Sequence, residues 1–448
     1  MSKRRSSKSA SPPAARASAT GHAPGALRAA TPPQPTLSWD AAGRLLLVVL
    51  AAAGVLSVLF ALRVPFDANP DEAAHRDYVR LLVEQRGFVR FVAGDPARFE
   101  THQPPLYYLL CVPVYLLSGG SVLALRLVAV PLQLLTVWLA FRAARDLFPN
   151  RAEIALGTAA FVAFLPTQAQ LGGAINNDAL TTLLCAALFW RMGRLAAVGQ
   201  GVKGAALTGA LLGLGLLTKS SVLTLAPALV LAHFIATRAR LLTTRTALGH
   251  LALTLSLALL IASPWLARNT LLYGDPLALS IYTQTGPNFT PAQVMQASGW
   301  TAADYARSVG VRSFATFWYF LSPNLPFSRF AGPPAPLLIV LALALVGLLG
   351  TLRWLRGESD GEPGQRRAVF LFLAGTLLLT PFFARFVLAV FQAQGRYFLP
   401  ALLPIAFTAC LGAATLAERK RALVGALGIA AVLLVLALLA LARGGFLA

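Results

Sequence analysis

The chain has 448 residues, 57% of them hydrophobic and only 12% charged. Apolar runs recur near the roughly 20 residues that span a bilayer as a helix, which excludes a soluble globular domain and predicts a polytopic membrane protein. The formal charge of +21 would suggest a nucleic-acid partner in a soluble domain. Here many Lys and Arg residues fall in short segments between apolar runs, where orientation signals belong, so no nucleic acid is expected. Cys111, Cys185 and Cys410 lie inside apolar segments without paired spacing, which argues against a disulfide framework or a structural zinc site.

Residues 1–42 form a basic tail of Ser, Ala, Pro, Lys and Arg, too poor in large apolar side chains to build a core and expected to be disordered. The first apolar run, to Val64, is longer than a signal-peptide core and lacks a cleavage pattern, so it reads as a retained membrane helix with the tail in the cytoplasm. Residues 43–448 then form one membrane domain. If Pro104 to Ser118 spanned, every later basic loop would face outward. If it stays at the outer surface, Arg142/Arg145/Arg151, Arg191/Arg194/Lys203, Arg238/Arg240/Arg245, Arg353/Arg356/Arg366/Arg367 and Arg419/Lys420/Arg421 all fall inside. The second scheme predicts eleven spans, near 43–64, 121–142, 153–171, 179–197, 204–218, 220–236, 247–263, 335–354, 368–386, 397–416 and 422–442. Outer loops 65–120 and 264–334 are left to form a layer over one end. Gly209 and Gly213 make a GxxxG expected to pack closely against another helix.

The stretch PFDANPDEAAHRDY, Pro65 to Tyr78, brings Asp67, Asp71 and Glu72 into a chain with only 17 acids. One reading is a helix start: Asn69 as N-cap, Pro70 at the first position, acids facing the positive dipole end, and a helix from Pro70 to about Arg86. Such a helix sets Asp71 beside His75 and Glu72 beside Arg76. The other reading is chemical, because Glu100, His102 and Gln103 precede Pro-Pro-Leu-Tyr-Tyr on the same face and Asp178 follows Asn176 and Asn177 at another outer helix end. Lys219, Arg385 and Arg396 are outward cations against the prevailing bias. For Lys219 the plain alternative is a side chain snorkelling to the interface. For Tyr107, Tyr108, Trp265 and Tyr397 it is an aromatic belt. Arg268 and Asn269 read as structuring the start of the long loop.

In order along the chain, DE followed by a His, HQPPLYY, INNDAL, LLTKSS, SPWLARNTLLYGDP and QGRYFLP resemble the GT-C superfamily of integral-membrane glycosyltransferases, with the bacterial relatives of protein mannosyltransferases and the lipid A aminoarabinose transferase nearest. The resemblance covers roughly residues 43–416. It implies an all-α polytopic fold of about eleven transmembrane helices in a bacterial inner membrane. It also implies transfer of a sugar from a polyprenyl-phosphate donor to a lipid, glycan or protein acceptor at the outer face. Asp71 matches the motif acid and is expected to be the base, with Glu72 as orienter or second acid. Lys219 and Arg396 are expected to stabilise the leaving phosphate, and His75, Glu100, His102, Asp178 and Tyr397 to line the substrate site. No cofactor is predicted; a divalent cation is compatible, and among the residues His102 with nearby acids is the candidate ligand set. In SFATFWYFLSPN, Tyr319 stands where the resemblance leads one to expect a small residue. Two other classes stay open, a secondary transporter or flippase and an inactive scaffold. The nearly uncharged span centres and the lack of a repeat speak against a transporter.

Overall fold

The computed structural model describes residues 37–281, 289–318, 334–357, 361–417 and 421–443; most of the tail, Tyr319, Arg419 and Lys420 lie outside them. The described residues form helices and no strand. Those used below are α1 (Trp39–Arg63), α2 (Glu72–Gln85), α3 (Leu106–Ser118), α4 (Val122–Leu127), α5 (Ala129–Leu147), α6 (Ala152–Phe164), α7 (Pro166–Leu171), α8 (Asp178–Val198), α9 (Val202–Leu216), α10 (Ala226–Arg238) and α11 (Thr244–Tyr273).

Among the described residues, nine helices are long and apolar enough to cross a membrane. The remaining two expected spans correspond to α6 and α9, of 13 and 15 residues. The expected span 153–171 breaks before Pro166, where α7 restarts. The expected end at Ser263 is also passed: α11 runs unbroken through Pro264 to Tyr273, so residues 264–273 are helix rather than loop. Pro264 cannot donate to the carbonyl of Leu260, and the Ser263 hydroxyl takes over that carbonyl at 2.8 Å. α3 has only 13 residues and is two-faced, with Tyr107, Tyr108 and Cys111 buried and Leu109, Leu110, Leu116 and Leu117 exposed. Only one face of α3 is therefore packed into the protein.

Lipid tails are as apolar as Leu, so the bundle is held by close packing rather than by expelling water. A Cβ on Gly209 would lie 2.7 Å from the Thr254 carbonyl, and one on Gly213 2.8 Å from the Ile261 Cβ. The GxxxG therefore is the seam along which α9 meets α11. Phe60, Phe148, Phe161, Phe189, Phe372, Phe407 and Trp354 fill the main core. A smaller cluster, with Tyr78, Val79, Tyr107, Tyr108, Leu125 and Ile175, fixes α2 and α3 over α4 and the start of α8.

Charge sorts the bundle into two ends. At one, the Trp39 indole donates to the Pro149 carbonyl, Gln365 to Leu147 and Arg367 to Ala196 and Ala197, while Arg194 pairs with Asp146. Leu241 and Trp354 pack at the same end, bringing the Arg238–Arg245 and Arg353–Arg356 loops there. The other end carries Pro65–Asp71, Arg126, Asp178, Lys219 and Arg396. Gly119 and Pro149 are both exposed. Single cysteines placed at these two positions should label with impermeant maleimide from opposite sides of the membrane, Pro149 from the cytoplasm. Labelling of both from one side would overturn the span assignment.

Candidate active site

The three acids of the opening loop have three different partners. Asp67 serves the helix start: its Oδ1 accepts the Ala73 amide at 3.2 Å. Glu72, fully buried, takes Arg126 side-on, with Nε to Oε1 at 2.7 Å and Nη2 to Oε2 at 2.6 Å. Arg126 also donates to the carbonyls of Ala61, Val64 and Pro65 at 2.8, 2.6 and 3.1 Å, closing the C-terminal end of α1. Glu72 in turn accepts the amides of Asp67 and Ile175. Asp71 sits at the cap position of α2 in a left-handed conformation (φ 60, ψ 16), yet its side chain makes no cap bond. Its Oδ2 receives Nη2 of Arg396 at 2.7 Å instead.

The cations come from two other segments. Gly395 lies so close to the backbone of Phe317 that no Cβ fits, and its amide donates to the Thr316 hydroxyl at 2.7 Å, which fixes Arg396. Nη1 of Arg396 stands 3.8 Å from Oδ2 of Asp178, and Nζ of Lys219 binds Oδ1 of the same carboxylate at 2.5 Å. Asp178 opens α8, its amide held by the Asn176 side chain at 2.8 Å. Asn176 donates in addition to the Pro70 carbonyl, and Gln170 to the Asn69 side chain, lacing the Asp178 loop to the Asp71 loop. The chain Asp71–Arg396–Asp178–Lys219 thus alternates in sign and sums to zero.

His75, on α2, meets the Tyr108 hydroxyl at 2.8 Å and stands 3.9 Å from Glu100. Ligand atoms of Asp71, His75 and Glu100 lie within 4.8 Å of one another, and Oε2 of Glu100 is buried without a hydrogen-bond partner. Burial pushes the Asp71 carboxyl up, but Arg396, His75 and Lys219 outweigh it and hold it below the usual range. Burial, then the charge of Asp71, raise Glu100 to about 8. Burial lowers His75 to about 3 and His102 to about 4. At neutral pH the triad therefore holds one carboxylate, one carboxylic acid and one neutral imidazole.

Of the residues expected at the site, Asp71, His75, Glu100, Asp178, Lys219, Arg396 and Tyr397 are brought together. Tyr397 packs its ring on Phe386, 5.0 Å away, with the Arg396 guanidinium 5.5 Å from its centre. Glu72 and His102 are not brought in. Glu72 is occupied by Arg126, which leaves it an orienting role and no place as a second acid. Nδ1 of His102 bonds the Phe99 carbonyl at 2.7 Å, with the ring edge-on to Phe91 and Phe99. Tyr107, Tyr108 and Trp265 are buried rather than part of a belt. Arg268 and Asn269 do structure the loop start, through Val89 and Pro276. Sequence reasoning missed Arg126; the signal was an arginine near the outer end of a span, the same anomaly that marks Lys219.

Two measurements probe this arrangement. Arg126→Ala leaves the Glu72 carboxylate buried and uncompensated and should cost about 3–5 kcal/mol of stability. A thermal midpoint equal to wild type would show that the pair carries nothing. For pH, the unfolded histidines titrate near 6.5 and the folded ones lower, so the unfolded chain binds more protons and stability falls as pH drops below 6.5. Glu100 has the opposite sign: the folded chain keeps its proton to about 8 and the unfolded chain releases it near 4.5, so stability falls as pH rises between them. The thermal midpoint of the purified protein should peak at about pH 6.5, and Glu100→Gln should flatten the alkaline side while steepening the rise between about pH 4.5 and 6.5. An alkaline fall unchanged in Glu100→Gln would assign it elsewhere.

Over residues 102–267 the chain matches the family model described as dolichyl-phosphate-mannose-protein mannosyltransferase. No curated protein matches it. The crystal structure of the Archaeoglobus fulgidus oligosaccharyltransferase in complex with Zn and sulfate is similar at 17% identity and a TM-score of 0.51, over 87% of this chain and 52% of that one. The chain thus spans about half of that protein. ArnT from Cupriavidus metallidurans, solved in the apo state and bound to undecaprenyl phosphate, aligns over 85% of this chain and 77% of that one, at 18% and 19% identity and a TM-score of 0.43. The mannosyltransferase match runs from just before α3 into α11, and the helical fold is similar to that of an oligosaccharyltransferase.

Proposed function

We propose that the chain moves a sugar from a polyprenyl-phosphate donor to an acceptor nucleophile at the non-cytoplasmic face of a bacterial inner membrane. The observation that carries this reading is the pair Lys219 and Arg396, set beside Asp71 at the end of the bundle opposite the basic loops. Their charges lie at the bundle end rather than across its middle, which suits chemistry at the interface better than passage through the membrane.

The reaction makes one bond and breaks one. The acceptor oxygen attacks the anomeric carbon, the bond from that carbon to the phosphate oxygen breaks, and the electron pair leaves with the lipid phosphate. The acceptor's proton goes to Asp71, the only triad member that is an ionised carboxylate at neutral pH. Lys219 and Arg396 stabilise the charge that builds on the phosphate, often the largest single contribution to such a barrier. Glu72 and Arg126 hold the Asp71 backbone, and Asp178 holds Lys219.

A divalent cation is compatible with this reading. Asp71, His75 and Glu100 fit one: two carboxyl groups and an imidazole converge, and one buried carboxyl oxygen lacks a partner. A cation held there would supply Lewis-acid charge near the phosphate.

Asp71→Asn keeps the size of the side chain and removes the base. The purified variant should remain folded, still bind undecaprenyl phosphate and transfer sugar roughly 10²- to 10⁴-fold more slowly. Lys219→Ala should weaken binding of the lipid phosphate by about tenfold or more, the equivalent of one charge-assisted hydrogen bond. Transfer at the wild-type rate by Asp71→Asn would send the base to another acid, and unchanged lipid binding by Lys219→Ala would remove that cation from the phosphate site.

A further inference from the structure

The arginine that is to hold the phosphate is already engaged by the carboxylate that is to act as base. Side-on, a guanidinium presents Nε and Nη2 as a two-pronged fork matched to carboxylates and phosphates. Asp71 takes only the Nη2 prong of Arg396, at 2.7 Å. The Nε prong is buried and has no hydrogen-bond partner, on a side chain that is 6% exposed. That is an incomplete contact on a fork able to make two.

The four charged groups also differ in freedom. Asp178 is 8% exposed and held from two sides, by Lys219 and, through its amide, by Asn176. The Asp71 side chain is 37% exposed, caps no helix and has Arg396 as its hydrogen-bond partner. When an anion reaches Arg396, Asp71 is the group that can yield.

We propose, building on the donor reading above, that Arg396 masks Asp71 in the resting enzyme and that a phosphate group entering the Nε/Nη2 fork displaces the carboxylate, so that the base is freed only once the donor is seated. A phosphate takes both prongs where the carboxylate takes one, and brings at least an equal charge. The freed carboxylate lies beside the bond to be broken with a lone pair available for the acceptor's proton. With no donor present, the same carboxylate stays on Arg396 and cannot activate water or acceptor. Binding is therefore ordered, donor before productive acceptor.

The test is a gain of affinity in a variant that has lost its base. Undecaprenyl phosphate is titrated into purified, detergent-solubilised wild-type protein, Asp71→Asn, Asp71→Gly and Asp67→Asn, with binding read from intrinsic tryptophan fluorescence. Asp67→Asn removes an equal charge from the same loop without touching Arg396. The proposal expects Asp71→Asn and Asp71→Gly to bind about tenfold more tightly than wild type, and Asp67→Asn within about twofold of it, the scale of one competing charge-assisted bond. Asp71→Gly also relieves the left-handed backbone, so a folded variant is secured by at least one of the two. Combining Asp71→Asn with Arg396→Gln should abolish the gain. A parallel titration with inorganic phosphate separates the sources: a gain with both ligands assigns the displacement to the phosphate group itself, and a gain with the lipid alone assigns it to a phosphate positioned by its chain. If Asp71→Asn binds no more tightly than Asp67→Asn, the masking is refuted while the donor site stands. If the wild-type protein binds neither ligand, the donor reading fails and this inference with it.

Discussion

The buried pair of Glu72 and Arg126 is the interaction on which the rest of this end of the molecule depends. Removing two charges from water is costly, and mutual attraction alone seldom offsets it; extra hydrogen bonds are needed on both sides. Here they are present. Arg126 satisfies three carbonyls around the last turn of α1 as well as both oxygens of Glu72, and Glu72 accepts two backbone amides besides. The carbonyls at a helix end in a membrane protein have no water to fall back on at depth, so one guanidinium replaces several absent solvent molecules. The pair pins three segments that are far apart in sequence: the end of α1, the start of α2 and the turn before α8. The second and third of these carry the backbone on which Asp71 and Asp178 stand.

That clamp explains why Asp71 tolerates a left-handed backbone. An aspartate at positive φ is strained only modestly, and the neighbouring Glu72 fixes the turn from inside the protein. The turn aims the Asp71 carboxylate away from the amides of its own helix, the place a helix-start acid ordinarily goes, and toward Arg396. Asp67, six residues before Ala73, does the capping in its stead. One short loop thus separates three tasks that a sequence pattern of acids beside a helix start presents as one.

The spans were legible because hydropathy and the position of Lys and Arg report directly on which segments must satisfy their own backbone in lipid. Where reading failed, a local side chain had changed the outcome: Ser263 repairs the bond that Pro264 removes, and α11 continues for ten residues beyond the expected end. At the candidate site, Lys219 and Arg396 stood out as cations against the prevailing bias, and Asp71 through the motif that it matches. Glu72 and His102 looked equivalent to their neighbours, because which way a side chain leaves a turn depends on tertiary partners. Arg126 was hidden inside an apolar run, and its partners are about 54 to 65 residues away, a distance no local pattern spans.

A strongly basic chain with few acids could have offered an anion two bare cations. In a mouth shielded from water such cations would repel one another and lose hydration with nothing in return, so a site for an anion needs counter-ions while it is empty. The carboxylates that the chemistry requires can serve as those counter-ions. Asp71 on Arg396 and Asp178 on Lys219 make the resting array neutral, and the arrival of a negative group shifts the balance by releasing the less firmly held of the two. Acids therefore stand where the fold brings Lys219 and Arg396 together, and the same electrostatic constraint that lets the site stay folded when empty sets the order in which it fills.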